Sequence, residues 1–136
     1  MKLLTKSILR GPFPGRLSPT RINVVAAREF VFKKWCERAQ SLGRETPKDM
    51  TDGCKFASLF AVIVFGGMIR GNYDHQWVEV GGEVIDLTGW SGIRKHDAFW
   101  WGNPEHLESM CSVQPRVEEW AEEFLNNRYG SKKGRY

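Results

Sequence analysis

Apolar positions in this chain fall into three helical stretches, with one block of two-residue alternation set between the second and the third. In the first, Val24, Ala27, Val31 and Trp35 recur at helical spacing, flanked by Phe32 and Cys36. Arg28, Lys33, Lys34, Glu37 and Arg38 cover the other side, so a helix is predicted over about 18–42. Ser18 is its expected N-cap, Pro19 its first residue and Gly43 its stop. Thr46-Pro47-Lys48-Asp49 repeats the cap-and-proline signal and predicts one short helical turn. A second helix is expected from Cys54. Phe56, Leu59, Phe60, Val62, Ile63 and Val64 leave it apolar on nearly every side, which places it at the centre of the fold until Gly66-Gly67 ends it. The last helix is expected over 115–128, with Pro115 as its start and Gly130 as its end. Val117, Trp120, Ala121, Phe124 and Leu125 form its buried stripe.

The alternating block predicts strands over 68–70, 73–80 and 83–87, with Gly81-Gly82 as a two-residue hairpin turn. That turn sets the register: Val80 faces Glu83, Val78 faces Ile85, Trp77 faces Asp86 and His75 faces Thr88. His75, Trp77, Val84, Asp86 and Thr88 then share one face, and His75 and Asp86 are diagonal neighbours on it. Val78, Val80, Ile85 and Leu87 make the other face, read as core. A slip of one residue would separate the pair. The 89–104 segment, with Trp90, Phe99, Trp100 and Trp101, reads as an aromatic-rich loop whose tryptophan pair plugs the core. Helix, helix, hairpin sheet and helix make an α+β domain.

Composition narrows the class. At 136 residues the chain is one domain: an extended arm over 1–17, broken by Gly11-Pro12-Phe13-Pro14-Gly15, a catalytic-type body over 18–129, and a basic flexible tail over 130–136. The formal charge of +4 owes much to Lys132, Lys133 and Arg135 in that tail, which argues against a nucleic-acid partner. Lys6 and Arg10 interrupt any export signal, and the apolar run over 56–69 is too short for a bilayer. Three cysteines, an odd number, fit a reducing cytoplasm with free thiols.

The chemistry lies in the order Cys54, His75, Asp86: a thiol nucleophile, a base and a carboxylate to orient the base. A helix N-terminus favours thiolate, so Cys54 is expected to be alkylated below neutral pH, before Cys36 or Cys111. The Cys54 N–H can face a developing oxyanion. Gly53 is expected to leave room for substrate. Cys36 and Cys111 read as packing residues, Glu79 as half of a surface pair, and His96 and His106 as loop or cap residues with no clear partner. A zinc set of Cys54, Cys111, His75 and His96 has no ligand-like spacing behind it, so no metal and no cofactor is expected.

Three segments carry a family resemblance: Gly53-Cys54-Lys55-Phe56-Ala57-Ser58, Asp74-His75-Gln76-Trp77-Val78-Glu79-Val80 and Val84-Ile85-Asp86-Leu87-Thr88. Together they resemble the core of the transglutaminase-like, papain-related cysteine enzymes, and over 53–88 they are similar to the leader peptidases of lasso-peptide maturation. The resemblance implies a papain-like core, in which the helix opened by the cysteine packs on a small antiparallel sheet with helices flanking it. It implies Cys54 as nucleophile, His75 as base, Asp86 as orienter and Trp77 as a wall of the substrate site. The chain departs from that pattern in its short Cys-to-His spacing and in having no glutamine just upstream of Cys54 as second oxyanion donor. The expected function is a cysteine hydrolase or acyltransferase (peptidase, deamidase or transglutaminase-type) acting on an amide of a peptide or protein through a Cys54 thioester. The alternative is a non-catalytic interaction module that keeps the fold.

Overall fold

The computed structural model describes residues 12–72, 74–89 and 103–133, and three helices and one three-stranded sheet make up its architecture. In chain order these are α1 (Arg21–Ser41), α2 (Cys54–Phe65), β1 (Met68–Gly71), β2 (Gln76–Val80), β3 (Glu83–Ile85) and α3 (Pro104–Lys133). The fold is α+β.

α2 is the centre, as its all-round hydrophobicity requires: every residue from Phe56 to Phe65 is buried. It packs mainly against α3 on one side and against β2 on the other. An aromatic seam joins the three helices. Phe60 stacks on Phe30 of α1 with centroids 5.8 Å apart and meets Phe124 of α3 edge-on at 5.5 Å. Phe56 sits between Trp35 and Trp120, at 5.1 and 5.5 Å. Such ring pairs add about 0.5–1.5 kcal/mol each beyond their burial. α1 is peripheral; only Ala27, Val31 and Ala39 are fully buried on it.

The sheet is antiparallel in the order β1-β2-β3. Gly81 and Gly82, with φ of +56° and +81°, form the predicted tight turn, and the register is the expected one: Val78↔Ile85, Glu79↔Val84, Val80↔Glu83. β2 begins at Gln76 and β3 ends at Ile85, so His75 and Asp86 stand just beyond the strands. Before β1, Phe13 exchanges both backbone hydrogen bonds with Gly67, and Arg16 and Leu17 donate to the carbonyl of Val64. The arm, from Pro12 onward, is therefore docked on the end of α2.

Four expectations need correction. Thr20, not Ser18, caps α1, its hydroxyl accepting from the Asn23 N–H at 3.3 Å. Residues 46–49 form a bend without a helical turn. Pro115 lies inside α3, which begins at Pro104 behind Asn103; the Asn103 side chain accepts from the His106 N–H at 3.1 Å. Asn103 as cap and Pro104 in the first turn start the helix, and tertiary packing carries it past Pro115. α3 also continues through Gly130 to Lys133. Trp90, His96, Phe99, Trp100 and Trp101 lie outside the described residues.

Candidate active site

Asn72 builds the turn that delivers the histidine. Its side-chain oxygen accepts from the N–H groups of Asp74 and His75 at 2.8 and 3.0 Å, and its own N–H donates to the His75 carbonyl. Gly71, with φ +136°, precedes it; a β-carbon there would land on the His75 carbonyl oxygen, so the residue must stay bare. The ring of His75 then lies beside Asp86, and its Nε2 donates to Asp86 Oδ2 at 2.6 Å. An ionised carboxylate can only accept, so the proton of this bond sits on the ring nitrogen. Asp86 Oδ1 accepts from the N–H and the hydroxyl of Thr88, at 3.0 and 2.6 Å. The aspartate side chain is 3% exposed and the histidine side chain 13%. The diagonal pairing expected from the hairpin is met.

Cys54 is the first residue of α2, and no side chain caps that helix start. The thiol and the His75 ring line one cleft of about 760 Å³, together with Lys55, Asp74, Thr88 and the 49–52 turn. That volume is in the range of small-ligand sites. The backbone N–H of Gln76, the residue after His75, is directed at the Cys54 sulfur. Burial nevertheless pushes the thiol above its ordinary value, the nearby charge of Asp86 adds to the rise, and the Gln76 N–H and the charge of Lys55 offset only part of it. The thiol is thus held above its ordinary value, opposite in direction to the shift expected at a helix start. Desolvation outweighs the backbone N–H groups of Gln76 and Cys54 that face the sulfur.

Two expected substrate contacts take other roles. A β-carbon at Gly53 would collide with the Met50 side chain and press on Trp35, so this glycine makes room for the core rather than for substrate. Trp77 is 2% exposed and does not line the cleft. Its indole packs against the His75 ring with centroids 6.0 Å apart, and its Nε1 donates to Glu79 at 3.2 Å. Trp77 backs the His75 ring. Glu79 also lies 3.9 Å from Arg70.

The structure adds a buried polar bridge that the sequence reading did not assign. Gln76, 1% exposed, faces the core side of β2. Ser58 of α2 donates to its Oε1 at 3.4 Å, and its Nε2 donates to His106 Nε2 of α3. His106 accepts there, so it is the neutral Nδ1–H tautomer. Burial, and secondarily the charge of Lys55, hold this imidazole below its ordinary value. Lys55 donates to Ser109 at 2.6 Å alongside. The signal for Gln76 was available: it shares the two-residue period of Val78 and Val80, and an amide on an apolar face needs partners.

Cys36 and Cys111 are half-buried. Cys36 donates to the Pro47 carbonyl at 3.7 Å, and Cys111 packs against the core. Among the described residues no group of three His, Cys, Asp or Glu is placed to hold a metal ion, and no helix is long and apolar enough to cross a membrane. Comparison of the chain with protein-family models, with curated proteins and with solved structures finds no match.

Proposed function

We propose that this chain is a cysteine hydrolase or acyltransferase with a papain-like core, acting on an amide of a peptide or protein. One observation carries the reading: His75, bonded to a nearly buried Asp86, and a helix-opening cysteine line one cleft. His75 Nε2 is held by Asp86, so Nδ1 is the ring atom that exchanges a proton with the thiol. In the first step Nδ1 takes the Cys54 proton as the sulfur attacks the amide carbon, giving a tetrahedral oxyanion and an imidazolium steadied by Asp86. The uncapped N–H groups at the start of α2 stabilise that oxyanion. As it collapses, the C–N bond breaks and the imidazolium protonates the leaving amine. Water or a second amine then attacks the thioester, with His75 again as base, and the thiol is restored.

A resting thiol fits this scheme, in which deprotonation accompanies attack. The experiment is covalent capture by a peptidyl acyloxymethyl ketone at neutral pH, read by intact mass and peptide mapping. One adduct at Cys54 is expected, absent in Cys54→Ala and strongly slowed in His75→Ala, with all three proteins folded by circular dichroism. An adduct confined to Cys36 or Cys111, or none at all, would leave the non-catalytic interaction module as the better reading.

A further inference from the structure

The cleft at Cys54 continues beyond Lys55. Asp49, Thr51, Asp52 and Lys55 wall it and also wall a second cavity of about 470 Å³ that reaches the last turn of α1 and one face of α3. Trp35 and Phe56 line this second space, and Arg38 lies against both. Its guanidinium carbon is 5.2 Å from the Trp35 ring centre and 4.9 Å from that of Phe56. Stacking of this kind holds the plane of an arginine while its N–H fork stays available at the edge. Arg44 and Lys48 line the same cavity. After burial, the charges of Arg44 and Arg116 push the Arg38 guanidinium below its ordinary value, so three arginines are close enough to repel one another.

Among the described residues no carboxylate is paired with Arg38, Arg44, Lys48 or Arg116, although Glu45 stands on the same wall. Two other cations between α1, the arm and α3 are neutralised, Lys34 by Glu37 and Glu123 and Arg16 by Glu122. An unneutralised, ring-stacked arginine inside a cavity is a prepared anion receptor.

We propose that this second cavity is a subsite for one acidic side chain of a peptide whose backbone continues into the Cys54 cleft. The Arg38 fork receives the carboxylate, and Arg44 adds charge. Asp49 and Asp52 on the shared wall repel a continuous polyanion, which favours an isolated Asp or Glu over the phosphate chain of a nucleic acid. The placement of the scissile amide rests on the catalytic reading above; the anion subsite is tested by binding alone.

The test uses the full chain carrying Cys54→Ala and tetramethylrhodamine-labelled octapeptides of glycine and alanine. One glutamate is scanned through the positions, each peptide is matched by its glutamine counterpart, and binding is read by fluorescence anisotropy at low salt. At least one glutamate peptide is expected to bind about tenfold more tightly than its counterpart. That preference should vanish in Arg38→Gln, weaken in Arg44→Gln and persist in Arg28→Gln, which removes the same charge from an exposed position on α1. Arg44 is exposed and its replacement leaves the core untouched, so that arm reads even if Arg38→Gln perturbs packing. No glutamate preference at any position, a preference that survives both cavity variants, or displacement of the peptide by equimolar oligouridylate would overturn the proposal. A preference without a Cys54 adduct sinks the enzyme and keeps the subsite; an adduct without a preference does the reverse.

Discussion

Replacing Asp86 with asparagine separates the chemistry of the His–Asp pair from its architecture. Asparagine has the same shape, and its carbonyl oxygen can still accept from the Thr88 N–H and hydroxyl. Its amide, however, presents N–H to His75 Nε2 where the carboxylate accepted at 2.6 Å. The ring nitrogen must then accept, which moves the imidazole proton to Nδ1, the atom that has to take the thiol proton. One charge-assisted bond at a nearly buried site is lost, about 1.5–3 kcal/mol. For a domain of this size that lowers Tm by roughly 5–10 °C. Capture of Cys54 by the ketone should fall far more, about 10³–10⁴-fold, because the wrong tautomer removes the base while the fold persists. Long-range ¹H–¹⁵N correlation of the His75 ring reads the tautomer directly, and stopped-time mass spectrometry reads the rate. A variant that keeps its proton on Nε2, or that is captured within threefold of the parent rate, would refute the reasoning.

Cys54 has a raised pKa, so the folded state releases its proton later than the unfolded chain. Its contribution to stability is present below the ordinary thiol value and is lost as pH rises toward the folded one; urea titrations across that alkaline window should lose this slope in Cys54→Ala. Iodoacetamide labelling of Cys54 should rise with pH through a midpoint above that of an ordinary thiol, measured by peptide mapping. His106 has a lowered pKa, so its contribution is present above the ordinary imidazole value and is lost as pH falls toward the folded value, where protonation sets N–H against the Gln76 amide; His106→Gln should flatten that acid-side loss in the same titrations. Gly71→Ala should cost about 2 kcal/mol or more in denaturant unfolding, because it combines a positive φ with a collision against the His75 carbonyl, and it should slow Cys54 capture in whatever fraction stays folded.

Local pattern determined much of this molecule. The apolar run after Cys54 could only be a buried helix, and Gly81-Gly82 fixed the hairpin register, which aims His75 and Asp86 at one another from just beyond the strand ends, where the Asn72 turn holds the histidine. Helix and strand periods are properties of neighbouring residues, so they are written locally. Tertiary packing decided what depends on distant partners. Pro115 signals a helix start but sits inside α3, because the stripe from Met110 through Val117 to Phe124 buries against α2 and its packing outweighs one missing backbone bond. Gly53 and Trp77 carry no local mark of whether they face substrate or core; Met50, Trp35 and the His75 ring settled that. The Cys54 thiol obeys the same logic. A helix dipole is legible in the chain, whereas desolvation is a sum over everything that surrounds the sulfur, and that sum exists only once the fold has closed.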